Sequence, residues 1–152
     1  MLAIFRRIIS YKFFPLSWTL FTILLLCLPG SLVPGTGLFA LKNLDKIIHA
    51  ILFGMNVLFW GWHFETSERP YKNLKILFVA ATAIIITLGI IMEYVQMYFI
   101  PNRSFDGYDI IADVVGSVLA GLWLLRSWFS KRIWKICAAF PDCLLSFNVL
   151  TS

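Results

Sequence analysis

Residues 74–100 read LKILFVAATAIIITLGIIMEYVQMYFI and are closed by Pro101. Only Lys75 and Glu93 carry charge in that run. A helix rises ~1.5 Å per residue, so this stretch can cross the ~30 Å hydrocarbon layer of a bilayer. Working outward, the same pattern recurs. An apolar run from about 13 to 33 precedes it, a second from about 44 to 62 carries Trp60 and Trp62 at its end, and another from about 109 to 128 follows. Pro29-Gly30 and Pro34-Gly35-Thr36-Gly37 end the first run, and the charged stretch 65–75 and the short loop 102–108 separate the others.

The composition agrees. Of 152 residues, 60% are apolar and 14% charged, and mean hydropathy is +0.83. A soluble domain carries about 25% charged residues, so this chain lacks the charge to coat a water-facing surface. Basic residues precede the first run, as in a signal peptide, but the run is long and no A-x-A-like site follows it, which favours a retained span. The expected fold is therefore an all-α membrane protein of four transmembrane helices, with a four-span domain over residues 1–128.

The net charge of +5 does not point to nucleic acid, because Lys and Arg cluster beside the apolar runs, where topology is encoded. Arg6, Arg7 and Lys12, then Arg69, Lys72 and Lys75, then Arg126, Lys131, Arg132 and Lys135 would lie on one side. Lys42, Lys46 and Arg103 lie on the other. Ten against three predicts both termini in the cytoplasm by the positive-inside rule. In the tail, 129–152, Phe129, Ile133, Ile136 and Phe140 share one helical face and Lys131, Arg132 and Lys135 another. This predicts an amphipathic helix lying on anionic headgroups. Cys27, Cys137 and Cys143 form no closed disulfide framework and no recurring metal spacing.

Five of the eight acidic residues fall at or just inside the outer ends of the last three spans: Asp45, Glu93, Asp106, Asp109 and Asp113. Asp45 and His49 are one helical turn apart, with Asn56 deeper on the same stripe. Gly89, Glu93 and Gln96 form a second stripe, with Thr82 below. Asp106, Asp109 and Asp113 form a third, continued by Gly116, Ser117 and Ala120. An acidic residue at mid-bilayer costs ~2.5 kcal/mol or more, so these stripes must face the bundle interior or a wet cavity. Glu93 lies ~12 Å along the helix from Pro101 and must be protonated, paired or solvated there. The small residues of the last span allow close helix approach, and the expected cavity opens outward and is closed below by them.

Three segments together resemble the VanZ-like family of small bacterial membrane proteins. They are Asp45-Lys46-Ile47-Ile48-His49, Gly89-Ile90-Ile91-Met92-Glu93-Tyr94-Val95-Gln96 and Pro101-Asn102-Arg103-Ser104-Phe105-Asp106-Gly107-Tyr108-Asp109. The resemblance covers about residues 45–121. Where the family often has Asn followed three residues later by Gly, this chain has Asp113 and Gly116, which adds a carboxylate. The resemblance implies a multi-pass protein of the bacterial cytoplasmic membrane and a link to reduced susceptibility to glycopeptides of the teicoplanin type.

The expected ligand-binding set is Asp45, Lys46, His49, Glu93, Gln96, Arg103, Asp106, Asp109 and Asp113. One reading makes it an outer-leaflet pocket for a membrane lipid, a lipid-linked cell-wall precursor or another membrane subunit. A second makes it an intramembrane enzyme acting on a lipid headgroup, with His49 or Glu93 as general acid or base and Arg103 holding a phosphate. A third makes the chain an accessory subunit. The bland alternatives are a core histidine bonded to Asp45, an interhelical network around Glu93 and Gln96, and an Arg103 that neutralises Asp106 or Glu93. No cofactor is expected. Carboxylates with one His would also suit a hard divalent cation, although no H-x-x-x-H signature is present.

Overall fold

The computed structural model describes residues 13–29, 44–66 and 71–139. They form four helices: α1 (Phe13–Leu26), α2 (Leu44–Thr66), α3 (Tyr71–Phe99) and α4 (Gly107–Ala139). The basic arm before residue 13, the turn-rich stretch after Pro29, residues 67–70 and the tail beyond Ala139 lie outside the described residues.

Three helices are long and apolar enough to cross a membrane: α2, α3 and most of α4. The chain is therefore a multi-pass, all-helical membrane protein. The first helix is shorter than expected. With 14 residues it spans only ~21 Å, because Pro29-Gly30 follows immediately and the last amides turn tightly. Cys27 N bonds Ile23 O, but Leu28 N bonds Leu25 O, one residue nearer. The far end of the chain differs in the opposite sense. No break separates residues 128 and 129, and α4 continues unbroken to Ala139. Nothing between Trp128 and Lys131 is a helix breaker, so the backbone has no reason to turn there.

The packing follows the small residues. A Cβ on Gly116 of α4 would overlap the Ala50 carbonyl of α2, and a Cβ on Gly54 would lie 3.1 Å from the Gly116 carbonyl. Backbones this close require glycine, and they make α2 against α4 the tightest crossing of the bundle. Phe53, Val57, Phe78, Ile85, Leu124 and Trp128 fill the space between the helices. Outward, Ile76, Val79, Ile84, Ile91, Leu119 and Leu122 are exposed, an arrangement that suits lipid and not water.

α1 is held to α2 by a neutral polar network. The Asn56 amide donates to Thr22 Oγ1 at 2.9 Å and to Leu52 O at 3.0 Å. Thr19 donates to Asn56 Oδ1 at 2.7 Å, and Trp60 Nε1 donates to Thr19 at 3.1 Å. Trp18 Nε1 reaches Leu52 O, and its ring meets Phe59 edge-on.

Candidate functional site

α3 runs against α2 and α4, so its C-terminal end meets the start of both. The turn between α3 and α4 is tight. Ile100 N bonds Gln96 O, Arg103 N bonds Ile100 O, and Asn102 takes a left-handed φ of 58°. Asparagine tolerates that conformation better than most residues. Asp106 then caps α4: its carboxylate accepts the Tyr108 amide at 2.9 Å and its carbonyl accepts the Asp109 amide at 3.0 Å. The turn folds back onto α3, so that Glu93 Oε1 accepts the Asp106 N–H at 2.6 Å. Glu93 is thus buried but bonded by a loop that dips to meet it.

The remaining ionic contacts run between α2 and α4. Lys46 Nζ lies 2.8 Å from Asp106 Oδ2 and 3.2 Å from Asp109 Oδ1, with the Tyr108 ring 5.9 Å beneath it. His49 Nδ1 lies 3.0 Å from Asp113 Oδ1, and both side chains are almost fully buried. With an ionised Asp113 carboxylate, which only accepts, this contact takes its proton from Nδ1 of the imidazole. Gly89 of α3 makes room for this pair, since a Cβ there would lie 2.7 Å from Asp113 Oδ2. Asp106 lies outside the spans. There the Lys46 ammonium, and after it the Tyr108 N–H, hold its carboxyl below the usual aspartate range.

The three stripes meet at one end of the bundle, but not around the expected common cavity, since Glu93, Asp109 and Asp113 do not line the one beside them, and several partners differ. His49 bonds Asp113 across the helix crossing at 3.0 Å and not Asp45, whose half-exposed carboxylate stays within 4.8 Å of the ring without a hydrogen bond to it. Arg103 approaches Asp45, with Nη1 4.0 Å from Oδ1, and not Asp106 or Glu93, which Lys46 and the Asp106 amide already satisfy. Gln96 leaves the ionic group altogether: its amide donates to Leu26 O at 2.9 Å, capping the end of α1. Thr19, Thr22 and Trp18 are polar partners that the sequence reading does not single out. Their only sequence signal is a polar side chain every third or fourth residue inside the first apolar run.

A cavity of about 510 Å³ opens beside this cluster. Its polar lining is Asp45, His49, Asn102 and Arg103, and its apolar lining comes from the end of α1, through Leu25, Leu26 and Leu28, and from Leu44, Ile48 and Leu52 of α2, interleaved with Asp45 and His49 on one helix face. The small residues of α4 do not close it, because they are already used up in the contact with α2. Within the cluster, Asp45, His49 and Asp109 bring one ligand atom each within 4.8 Å of one another and could hold a metal ion. Lys46 already supplies Asp109 with positive charge.

No family model matches the chain, and no solved structure matches it. An uncharacterized protein of Schizosaccharomyces pombe is 34% identical over 92 residues, which is 60% of this chain and 52% of that protein. The chain thus spans about half the length of the relative it matches. That relative is eukaryotic.

Proposed function

We propose that this chain is a VanZ-like membrane protein with four spans and both ends cytoplasmic, whose outer-leaflet pocket binds the polar head of an amphiphile. The observation that carries this reading is the mixed lining of the cavity, in which Asp45, His49, Asn102 and Arg103 stand beside leucine and isoleucine side chains. Such a lining fits a molecule with a polar head and a hydrocarbon tail. In a bacterial cytoplasmic membrane that molecule would be a lipid or a lipid-linked cell-wall precursor, and its capture would alter glycopeptide susceptibility. A eukaryotic relative favours a membrane lipid over a ligand confined to a bacterial wall. A partner subunit seated on the same pocket is the third form of this reading.

Orientation is tested by cysteine labelling: Ser104→Cys should react from outside the cell and Lys131→Cys only after permeabilisation. The pocket is tested with Arg103→Gln, which should leave membrane abundance and thermal midpoint unchanged while removing the shift in glycopeptide susceptibility and the co-purified lipid. Full susceptibility shift and full lipid recovery in that variant would defeat the proposal.

One observation favours the enzymatic reading as a second choice. His49 borders the cavity, and Asp113 orients its ring as a general base is oriented. Glu93 does not border the cavity, which removes it from that role. Turnover of a headgroup-labelled lipid by the purified protein, lost in His49→Gln, would establish this reading.

A further inference from the structure

Among the described residues, the charges of the cluster have short-range partners with one exception. Lys46 is shared by Asp106 and Asp109, His49 is bonded to Asp113, and Glu93 receives the Asp106 amide. Only Asp45 and Arg103 stand apart. They approach no closer than 4.0 Å, beyond the 2.7–2.9 Å of a charge-assisted hydrogen bond. Arg103 Nε is shielded from solvent and has no hydrogen-bond partner. Asp45 is half exposed. Both border the cavity, whose lining also includes Leu25, Leu26, Ile48 and Leu52.

We infer that the pocket selects a zwitterionic lipid head carrying a phosphate and a primary ammonium, an ethanolamine-type phospholipid. This rests on the pocket reading above and specifies its ligand. A partly exposed guanidinium whose Nη1 stands 4.0 Å from its carboxylate keeps terminal N–H groups that match a phosphate oxygen. A carboxylate with weak company takes an ammonium. One anionic and one cationic group in the same lining therefore complement a head that carries both charges, and the leucine and isoleucine side chains of that lining take the start of the acyl chains. A purely anionic head is disfavoured, because Asp45 would face a phosphate without compensation and Asp109 lies close by. A quaternary ammonium has no N–H to give Asp45 and is ordinarily held by aromatic faces. The described lining offers no aromatic ring besides the His49 imidazole. That leaves the primary ammonium.

The test uses the full-length protein in detergent with equal amounts of dioleoyl phosphatidylethanolamine, phosphatidylcholine and phosphatidylglycerol, with bound lipid read by native mass spectrometry. Wild type should bind the ethanolamine lipid about tenfold more than either competitor, the ratio that one charge-assisted hydrogen bond supplies. In Asp45→Asn, which keeps the size of a half-exposed side chain, this preference should collapse toward unity. In Arg103→Gln binding of all three lipids should fall. Phosphatidylglycerol bound as well as phosphatidylethanolamine would overturn the zwitterion assignment, and equal binding of the choline lipid would overturn the primary ammonium. The wild-type comparison needs no variant to fold. No binding of any of the three would remove the pocket reading itself, whereas binding without preference would remove only the headgroup assignment.

Discussion

Two polar networks cross this bundle, and they are built differently. The one between α1 and α2 is neutral: Thr19, Thr22, Asn56 and Trp60 bond one another and the backbone, and Thr22 and Asn56 are fully buried. The one between α2, α3 and α4 is ionic, and two of its charged members, Asp45 and Arg103, are left loosely paired beside a cavity. A neutral network closed on itself positions helices and needs nothing else. An ionic network with unmet members at a cavity wall is set up to receive something. Burial alone does not separate the two, because Asn56 and Asp113 are equally hidden. What separates them is where hydrogen-bonding capacity is left over.

That contrast can be broken by substitution. The largest effect is expected at Asp113. Asp113→Leu strands His49 with no partner in the bundle interior, and losing one member of a buried pair costs ~3–5 kcal/mol. Thermal unfolding in detergent should show a large drop, and Asp113→Asn, which can still accept from Nδ1, should recover most of it. Comparable midpoints for the two would mean that His49 does not depend on this bond.

Asn56→Leu comes next. It removes the centre of the neutral network, and interhelical hydrogen bonds in membranes contribute ~0.6 kcal/mol each. A loss of about 2 kcal/mol is expected, with the lipid preference of the pocket unchanged. A change in that preference would show that α1 and its network do more than hold the apolar lining in place.

Asp106 tests the ionic network through pH. Its carboxyl titrates below the usual range when folded, so its contribution is present above the unfolded value and is lost as pH falls through the folded one. The midpoint difference between wild type and Asp106→Asn should therefore be visible at neutral pH and shrink below about pH 4. A difference that grows in acid would reverse the assignment. The smallest effect is expected at the opposite end of the bundle, where Lys131 lies 2.5 Å from Glu65 with over half of its side chain exposed. Glu65→Gln should shift the midpoint by no more than a surface pair does, ~0–1 kcal/mol, and less at high salt. Large destabilisation there would erase the distinction between the two ends.

Periodicity made the long spans and the polar stripes legible. Apolar length identified α2, α3 and α4 within a few residues at most ends, and the four-and-three spacing of Gly89, Glu93 and Gln96 placed them on one face. The first helix ends sooner than its composition suggests, at Leu26 with residues 27–29 outside it, although the apolar run continues in the sequence. Residues 129–139 continue α4 without a bend, because amphipathic spacing says which face is polar, not whether the backbone turns at residue 128. Gln96 shows the limit most clearly, since its stripe suggests a place among the carboxylates and its amide instead caps α1.

By itself the sequence determined that long apolar helices able to cross a membrane are present and that their polar faces lie near one end, while its count of four spans exceeds the three such helices among the described residues. Both follow from residue spacing along a helix of fixed pitch, which needs no knowledge of neighbours. The tertiary structure decided which charge meets which. That choice depends on how closely α2 and α4 approach, set by Gly116 against Ala50, and on how the turn at Asn102 brings Asp106 back to Glu93. Hydrogen bonds act over about 3 Å, so a small shift in either contact exchanges one partner for another, and no pattern along a single helix encodes that distance.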